Sequence, residues 1–272
     1  MAAMTAIEAM FDLSGKTILV TGGASGIGLA IVEVVAAAGA RVFLTDVNDD
    51  ALQVQLRRLR QSGPEIDGAR LDVGEAVAVD KVVDALVARY GQLDCVFANA
   101  GVSAGRGFAV EAGQLAQIEA TAWDRVFSVN LDGAMHTMRA AARHMKMRRS
   151  GRIIVTSSIA GLRAEPMSGY AYVASKAAVN NLVRQAALEL APYNVLVNAI
   201  APGPFATGIN EGRLRLPEAA ERLRGYVPLG RIAEAHEIKG LALLLASDAS
   251  SYITGAIIPI DGGVSLGAVR SS

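Results

Sequence analysis

One cysteine, Cys95, and one tryptophan, Trp123, occur among 272 residues, and aromatic side chains make up only 5%. A lone cysteine excludes an internal disulfide. Its setting in Leu93-Asp94-Cys95-Val96-Phe97 reads as a buried strand, where a thiol is a small core hydrophobe rather than a nucleophile. Net charge is missing too: 26 Lys and Arg balance 26 Asp and Glu, which removes any general electrostatic reason to bind nucleic acid or an anionic membrane. No apolar run reaches membrane-spanning length, and Met1 to Phe11 has no basic segment, so a cytoplasmic protein is expected. His136, His144 and His236 lack metal-ligand spacing, and no GxSxG pattern supports a serine nucleophile, so neither a metal nor covalent catalysis is expected. Nothing resembling a linker or a fixed-period repeat divides the chain, which predicts one domain over residues 1–272.

What the chain does have is 52% hydrophobic residues in short β-branched runs that alternate with helical stretches. Strands are expected near 17–21, 41–46, 68–72, 95–98, 152–157, 195–200 and 256–260, and helices near 27–38, 49–61, 75–90, 122–147, 171–191 and 234–247. Runs such as Ile153-Ile154-Val155-Thr156 are apolar without alternation, as in a parallel sheet covered by helices on both faces. The predicted fold is therefore α/β, a Rossmann-like doubly wound parallel sheet of about seven strands. Ligands of such sheets bind beyond the carboxyl ends of the strands.

The first of those ends is Thr21-Gly22-Gly23-Ala24-Ser25-Gly26-Ile27-Gly28, between the run Thr17-Ile18-Leu19-Val20 and an apolar helix. A helix opening leaves backbone N–H groups unpaired and carries partial positive charge, and glycines admit a pyrophosphate close to the backbone. The spacing is GxxxGxG rather than GxGxxG, so the strand-turn-helix context carries the reading. The second strand ends at Asp46, where a carboxylate accepts from ribose hydroxyls and repels a 2′-phosphate, so the expected cofactor is NAD rather than NADP. Further groups follow the later strands: Asp72-Val73, Asn99-Ala100-Gly101, Ser157-Ser158 and Pro202-Gly203-Pro204-Phe205-Ala206-Thr207.

Helix 171–191 opens with Tyr172-Val173-Ala174-Ser175-Lys176, which sets a phenol and an ammonium four residues apart on one face. Free tyrosine titrates near 10, so a base acting near neutrality needs its phenolate stabilised, and a neighbouring cation supplies that. Within helix 122–147, Asn130 interrupts the apolar stripe of Trp123, Phe127, Ala134, Met138, Ala141 and Met145. A buried amide there is either a hydrogen-bonding fixture that sets the helix or a group that holds a water or the lysine.

Taken together, TGGASGIG at 21–28, Asp46, NAG at 99–101, Asn130 within VNLDG, Ser157-Ser158, YVASK at 172–176 and PG at 202–203 resemble the short-chain dehydrogenase/reductase family over about residues 12–265. The resemblance implies a catalytic set of Asn130, Ser158, Tyr172 and Lys176, with Tyr172 as acid/base and Lys176 lowering its pKa. It implies cofactor contacts at Gly22, Ser25, Gly26, Ile27, Gly28, Asp46, Asp72, Val73, Asn99, Ala100, Gly101, Tyr172, Lys176, Pro202, Gly203, Phe205 and Thr207. Two departures stand out. Ala98 replaces the first amide of the family's NNAG, and the Ser-to-Tyr separation is one residue longer than in many relatives, which keeps Ser157 as an alternative to Ser158.

The implied activity is NAD-dependent oxidation of a small secondary alcohol, with a sugar, sugar acid or cyclic alcohol as substrate. Its alternative is a catalytically silent NAD-binding sensor or subunit. Substrate identity is expected in residues 205–231 and in the loops near Arg106 and Arg163; Arg213, Arg215, Arg222 and Arg224 hint at an anion but are nearly balanced by Glu211, Glu218 and Glu221. The family resemblance further implies a homotetramer in which helices 122–147 and 171–191 pair between subunits.

Overall fold

The computed structural model describes residues 5–61, 65–208 and 225–267. Seven parallel strands, β1 (Thr17–Thr21), β2 (Arg41–Asp46), β3 (Ile66–Arg70), β4 (Cys95–Ala98), β5 (Gly151–Thr156), β6 (Val195–Pro202) and β7 (Ile257–Ile260), form one sheet in the order β3-β2-β1-β4-β5-β6-β7. The order reverses between β1 and β4, and a crevice opens there beyond the carboxyl ends. Eight described helices accompany the sheet: α1 (Ala6–Phe11), α2 (Gly26–Ala37), α3 (Asp49–Arg60), α4 (Ala76–Tyr90), α5 (Ala120–Phe127), α6 (Gly133–Arg148), α7 (Tyr170–Leu190) and α8 (Lys239–Ala246).

Alternate strand residues feed two cores. Ile18, Val20, Val42, Phe97, Ile154 and Ile200 pack with α2, α3 and α8. Leu19, Val96, Ile153, Val155 and Val197 pack with α4, α6 and α7 on the other face. Both faces are dry, which is why the strand sequences do not alternate. Cys95 lies within β4, where burial pushes its thiol up and keeps it protonated. No helix among the described residues is long and apolar enough to cross a membrane.

Three expectations need correction. The third strand runs Ile66–Arg70 rather than 68–72, because Asp67 and Gly68, poor strand formers in isolation, are held in register against Phe43 and Leu44 of β2. The continuous helix at 122–147 is instead α5 and α6 joined by a turn of π-helix at Ser128–Asp132, whose extra residue alters the facing of Asn130. Helix 234–247 begins as a 3₁₀ turn, Ala235–Ile238, before α8. Helix α1 was not expected, although Thr5 and Glu8 form a reciprocal capping box that announces it.

Candidate active site

The crevice is a cavity of about 860 Å³, within the size range of pockets that bury small molecules. One end is made of backbone. Gly22 and Gly26 adopt φ of 63° and 52°, and a Cβ on Gly28 would lie 2.0 Å from the carbonyl oxygen of Gly22 and 2.5 Å from Asn99 Nδ2. Only glycine lets α2 approach the turn this closely. Ser25 stands at the N-cap of α2 with no side-chain capping bond, so the first-turn N–H groups face the cavity, which Ser25, Gly26 and Ile27 line. That is a cradle for a pyrophosphate, and a dinucleotide fits the residues present.

Asp46 borders the same end. Its Oδ2 accepts from Ala24 N at 3.1 Å and its Oδ1 from Asn48 N at 3.0 Å, which fixes the carboxylate at the tip of β2. Asp72 accepts from Gly74 N at 2.9 Å, and the Val73 carbonyl oxygen lies 3.0 Å from His136 Nδ1. The half-buried His136 thus supports the Val73 wall. Asn99 lines the cavity, but its side chain is committed to protein: Nδ2 donates to the carbonyls of Thr21 and Gly22, and Oδ1 accepts from Thr156 at 2.9 Å. It ties β1, β4 and β5 together beside Ala98, where the family's first amide is missing. Ala100, Gly101, Pro202, Gly203, Phe205 and Thr207 complete the expected lining. The sequence reading missed Arg125, an exposed cation of α5 that also borders the cavity, because helical spacing says nothing about a neighbouring cleft.

At the other end the carboxyl termini of β5 and β6 meet the opening of α7. Ser157 is buried and donates to Asn180 Oδ1 at 2.5 Å, a structural pairing. Ser158 stands beside Tyr172, where its hydroxyl acts to lower the phenol, and its Oγ accepts from Ala160 N at 3.1 Å and donates to the Pro202 carbonyl at 3.5 Å. The geometry therefore joins Ser158, not Ser157, to the phenol. Lys176 is 3% exposed, donates to the Thr156 carbonyl at 2.8 Å and holds its Nζ 5.7 Å from the Tyr172 ring centre. Burial pushes the phenol above its usual value, against the opposing pull of the Ser158 hydroxyl, and pushes the amine down to about 8. Desolvation dominates both groups, and the Lys176 amine is turned to Thr156.

Asn130, in the π turn, is buried. Its Oδ1 accepts from Val102 N at 2.8 Å, and its Nδ2 donates to the Val102 carbonyl at 2.9 Å and to Ser175 Oγ at 3.3 Å. The side chain is a fixture that pins the loop after β4, and Gly101 sits between it and Lys176 Nζ. The expected arginines and glutamates of 211–224 lie outside the described residues.

This arrangement has relatives. A family model described as Enoyl-(Acyl carrier protein) reductase matches residues 22–265. The cyclohexanol dehydrogenase of Rhodococcus sp. is 38% identical over 265 residues, covering 93% of this chain and 97% of that protein. This chain is a short-chain dehydrogenase/reductase. The dehydrogenase/reductase is also 36% identical over 253 residues to the 3-oxoacyl-[acyl-carrier-protein] reductase FabG of Thermotoga maritima, covering 93% of this chain and 98% of that one. The structure of a gluconate 5-dehydrogenase from Burkholderia cenocepacia, in complex with NADP and tartrate, superposes with a TM-score of 0.88 at 32% identity, covering 96% of this chain and 100% of that one. Membership makes the chain an oxidoreductase of nicotinamide cofactors.

Proposed function

We propose that this chain is an NAD-dependent dehydrogenase that interconverts a small secondary alcohol and its ketone, with Tyr172 as the acid/base. The observation that carries the reading is one continuous cavity with Asp46 at the dinucleotide end and the Ser158-Tyr172 pair, backed by Lys176, at the other.

A nicotinamide bound in this cleft would supply the hydride-transfer chemistry at the carbinol carbon. Ser158 and Tyr172 both address the substrate oxygen: the serine hydroxyl orients it and the phenol oxygen exchanges its proton. Lys176, buried beneath Gly101 and anchored on Thr156, keeps a positive charge near the phenol and is placed to hold a ribose hydroxyl. Asn130 positions the Val102 loop against this set. Gly22, Ser25, Gly26, Ile27, Gly28, Asp72, Val73, Ala100, Gly101, Pro202, Gly203, Phe205 and Thr207 would hold the dinucleotide, while Asn99 holds the glycine turn in shape. Asp46 argues for NAD, since a 2′-phosphate there would face a fixed carboxylate.

The test is reduction of NAD⁺ and NADP⁺ across a panel of secondary alcohols, polyols, hydroxy acids and cyclic diols. Turnover with NAD⁺ preferred is the expected result; a preference for NADP⁺ overturns the Asp46 argument, and binding of NAD⁺ without turnover across the panel favours the silent sensor. We also propose a homotetramer. The exposed Met147 of α6 and Leu188 of α7 support pairing through these helices, and light scattering should give about four times the 28.2 kDa chain.

A further inference from the structure

A carboxylate stands at the substrate end of the cavity that the proton-transfer chemistry does not use. Glu165 is 7% exposed, and carboxylates are rarely buried without close pairing. Its Oε2 accepts from the Tyr226 hydroxyl at 2.8 Å, while its Oε1 accepts only at 3.3 Å, from Met167 N, among the described residues. The nearest described cation is Arg163, with Nη2 3.7 Å from Oε2. A purely structural ion pair would close to charge-assisted hydrogen-bonding distance. Here the guanidinium instead donates to the Tyr226 hydroxyl and, at 2.7 Å, to the Val264 carbonyl. Glu165 and Tyr226 border the cavity, and Arg163 is not among its lining residues. Burial and the neighbouring carboxylate push the Tyr226 phenol up, so it stays a neutral donor to Glu165. The face turned to substrate thus offers a carboxylate oxygen, Glu165 Oε1, that has capacity left to accept.

We propose that Glu165 and Tyr226 form a specificity subsite that selects alcohols carrying a second hydrogen-bond donor, a hydroxyl or an ammonium group, and rejects alcohols carrying a carboxylate. The proposal rests on the alcohol-dehydrogenase reading of the same cleft. An ammonium or hydroxyl donates to Glu165 Oε1, whereas a substrate carboxylate meets like charge in a site screened from water. Sugar acids and other hydroxy acids are then poor substrates, and diols or amino alcohols good ones.

The experiment compares cyclohexanol, the cyclohexanediols, 4-aminocyclohexanol and 4-hydroxycyclohexanecarboxylate by kcat/KM with NAD⁺, for the wild type and for Glu165→Gln. The wild type is expected to favour a diol or the amino alcohol at least tenfold over cyclohexanol and to disfavour the hydroxy acid at least tenfold. Glu165→Gln, which keeps the shape and an acceptor but not the charge, should shrink the amino-alcohol and hydroxy-acid ratios at least tenfold, while Glu165→Asp restores them in part. Ratios unchanged by Glu165→Gln, or a wild type that prefers the hydroxy acid, overturn the proposal; if the variant does not fold, the wild-type ratios alone decide. If no alcohol is turned over, the dehydrogenase reading fails, and calorimetry decides the subsite separately. Binding of 4-aminocyclohexanol to the wild type that is at least tenfold tighter than to Glu165→Gln supports it, and equal or absent binding overturns it.

Discussion

At the dinucleotide end of the cleft the pyrophosphate cradle is backbone from one short stretch, Gly22 to Gly28, closed by the opening of α2. At the substrate end, Glu165, Tyr226 and Val264 arrive from three separated segments and meet only through side chains and a carbonyl. A backbone wall depends on the absence of side chains, so its tolerance for substitution is low and its chemistry generic. A side-chain wall can be altered one residue at a time, and that is where selectivity between substrates can change without rebuilding the fold.

Substitutions that add a methyl group break the contrast most sharply. Gly28→Ala puts a Cβ into the Gly22 carbonyl and is expected to weaken dinucleotide binding at least a hundredfold and to cost about 1–3 kcal/mol, roughly 2–4 °C of Tm for each kcal/mol. Gly240→Ala on α8 meets nothing within 4 Å and should leave both unchanged or raise the Tm slightly; fluorescence titration and thermal melts read the pair. Next in size is Asp46→Ala. Removing the carboxylate should lower the NAD⁺-over-NADP⁺ ratio of kcat/KM by roughly tenfold or more, and an unchanged ratio places cofactor choice elsewhere, Arg125 included.

Two pH effects are smaller. Burial holds the Tyr172 phenol protonated, so alcohol oxidation, which needs the phenolate, should rise steadily from pH 7 to 10 while ketone reduction, which needs the phenol, stays nearly level, as pH-rate profiles in both directions would record. Lys176, at about 8 when folded and near 10.5 when unfolded, binds fewer protons in the native state between those values. Stability from this group is therefore flat below pH 8 and rises as pH climbs from about 8 toward 10.5. The Tm of the cofactor-free wild type relative to Lys176→Met should increase over that window by a few degrees.

The dinucleotide end was legible because its signal is local. β-branched runs, a glycine turn and an acid at the next strand end lie within residues 17–46, and the structure places them as read. The register of β3 was less legible, since pairing with β2, not local propensity, carries Asp67 and Gly68 into the strand. The π turn at Ser128–Asp132 leaves the apolar stripe of 122–147 almost unchanged, so periodicity cannot report it, yet it decides that Asn130 faces Val102. Asn99 is a cofactor contact by resemblance, and its side-chain partners at the ends of β1 and β5 are invisible to sequence spacing. The Glu165-Tyr226 pair, 61 residues apart, carries no local pattern at all.

The most direct test of the account is Tyr172→Phe, with turnover and NAD⁺ affinity measured on the same preparation. The phenol is assigned to proton transfer and the glycine turn to binding, so kcat should fall about 10²–10⁴-fold while the dissociation constant of NAD⁺ stays within a few-fold of wild type. Turnover retained above a few per cent of the wild-type value contradicts the assignment of Tyr172, and a parallel loss of NAD⁺ binding contradicts the division of the cleft into two separately built ends.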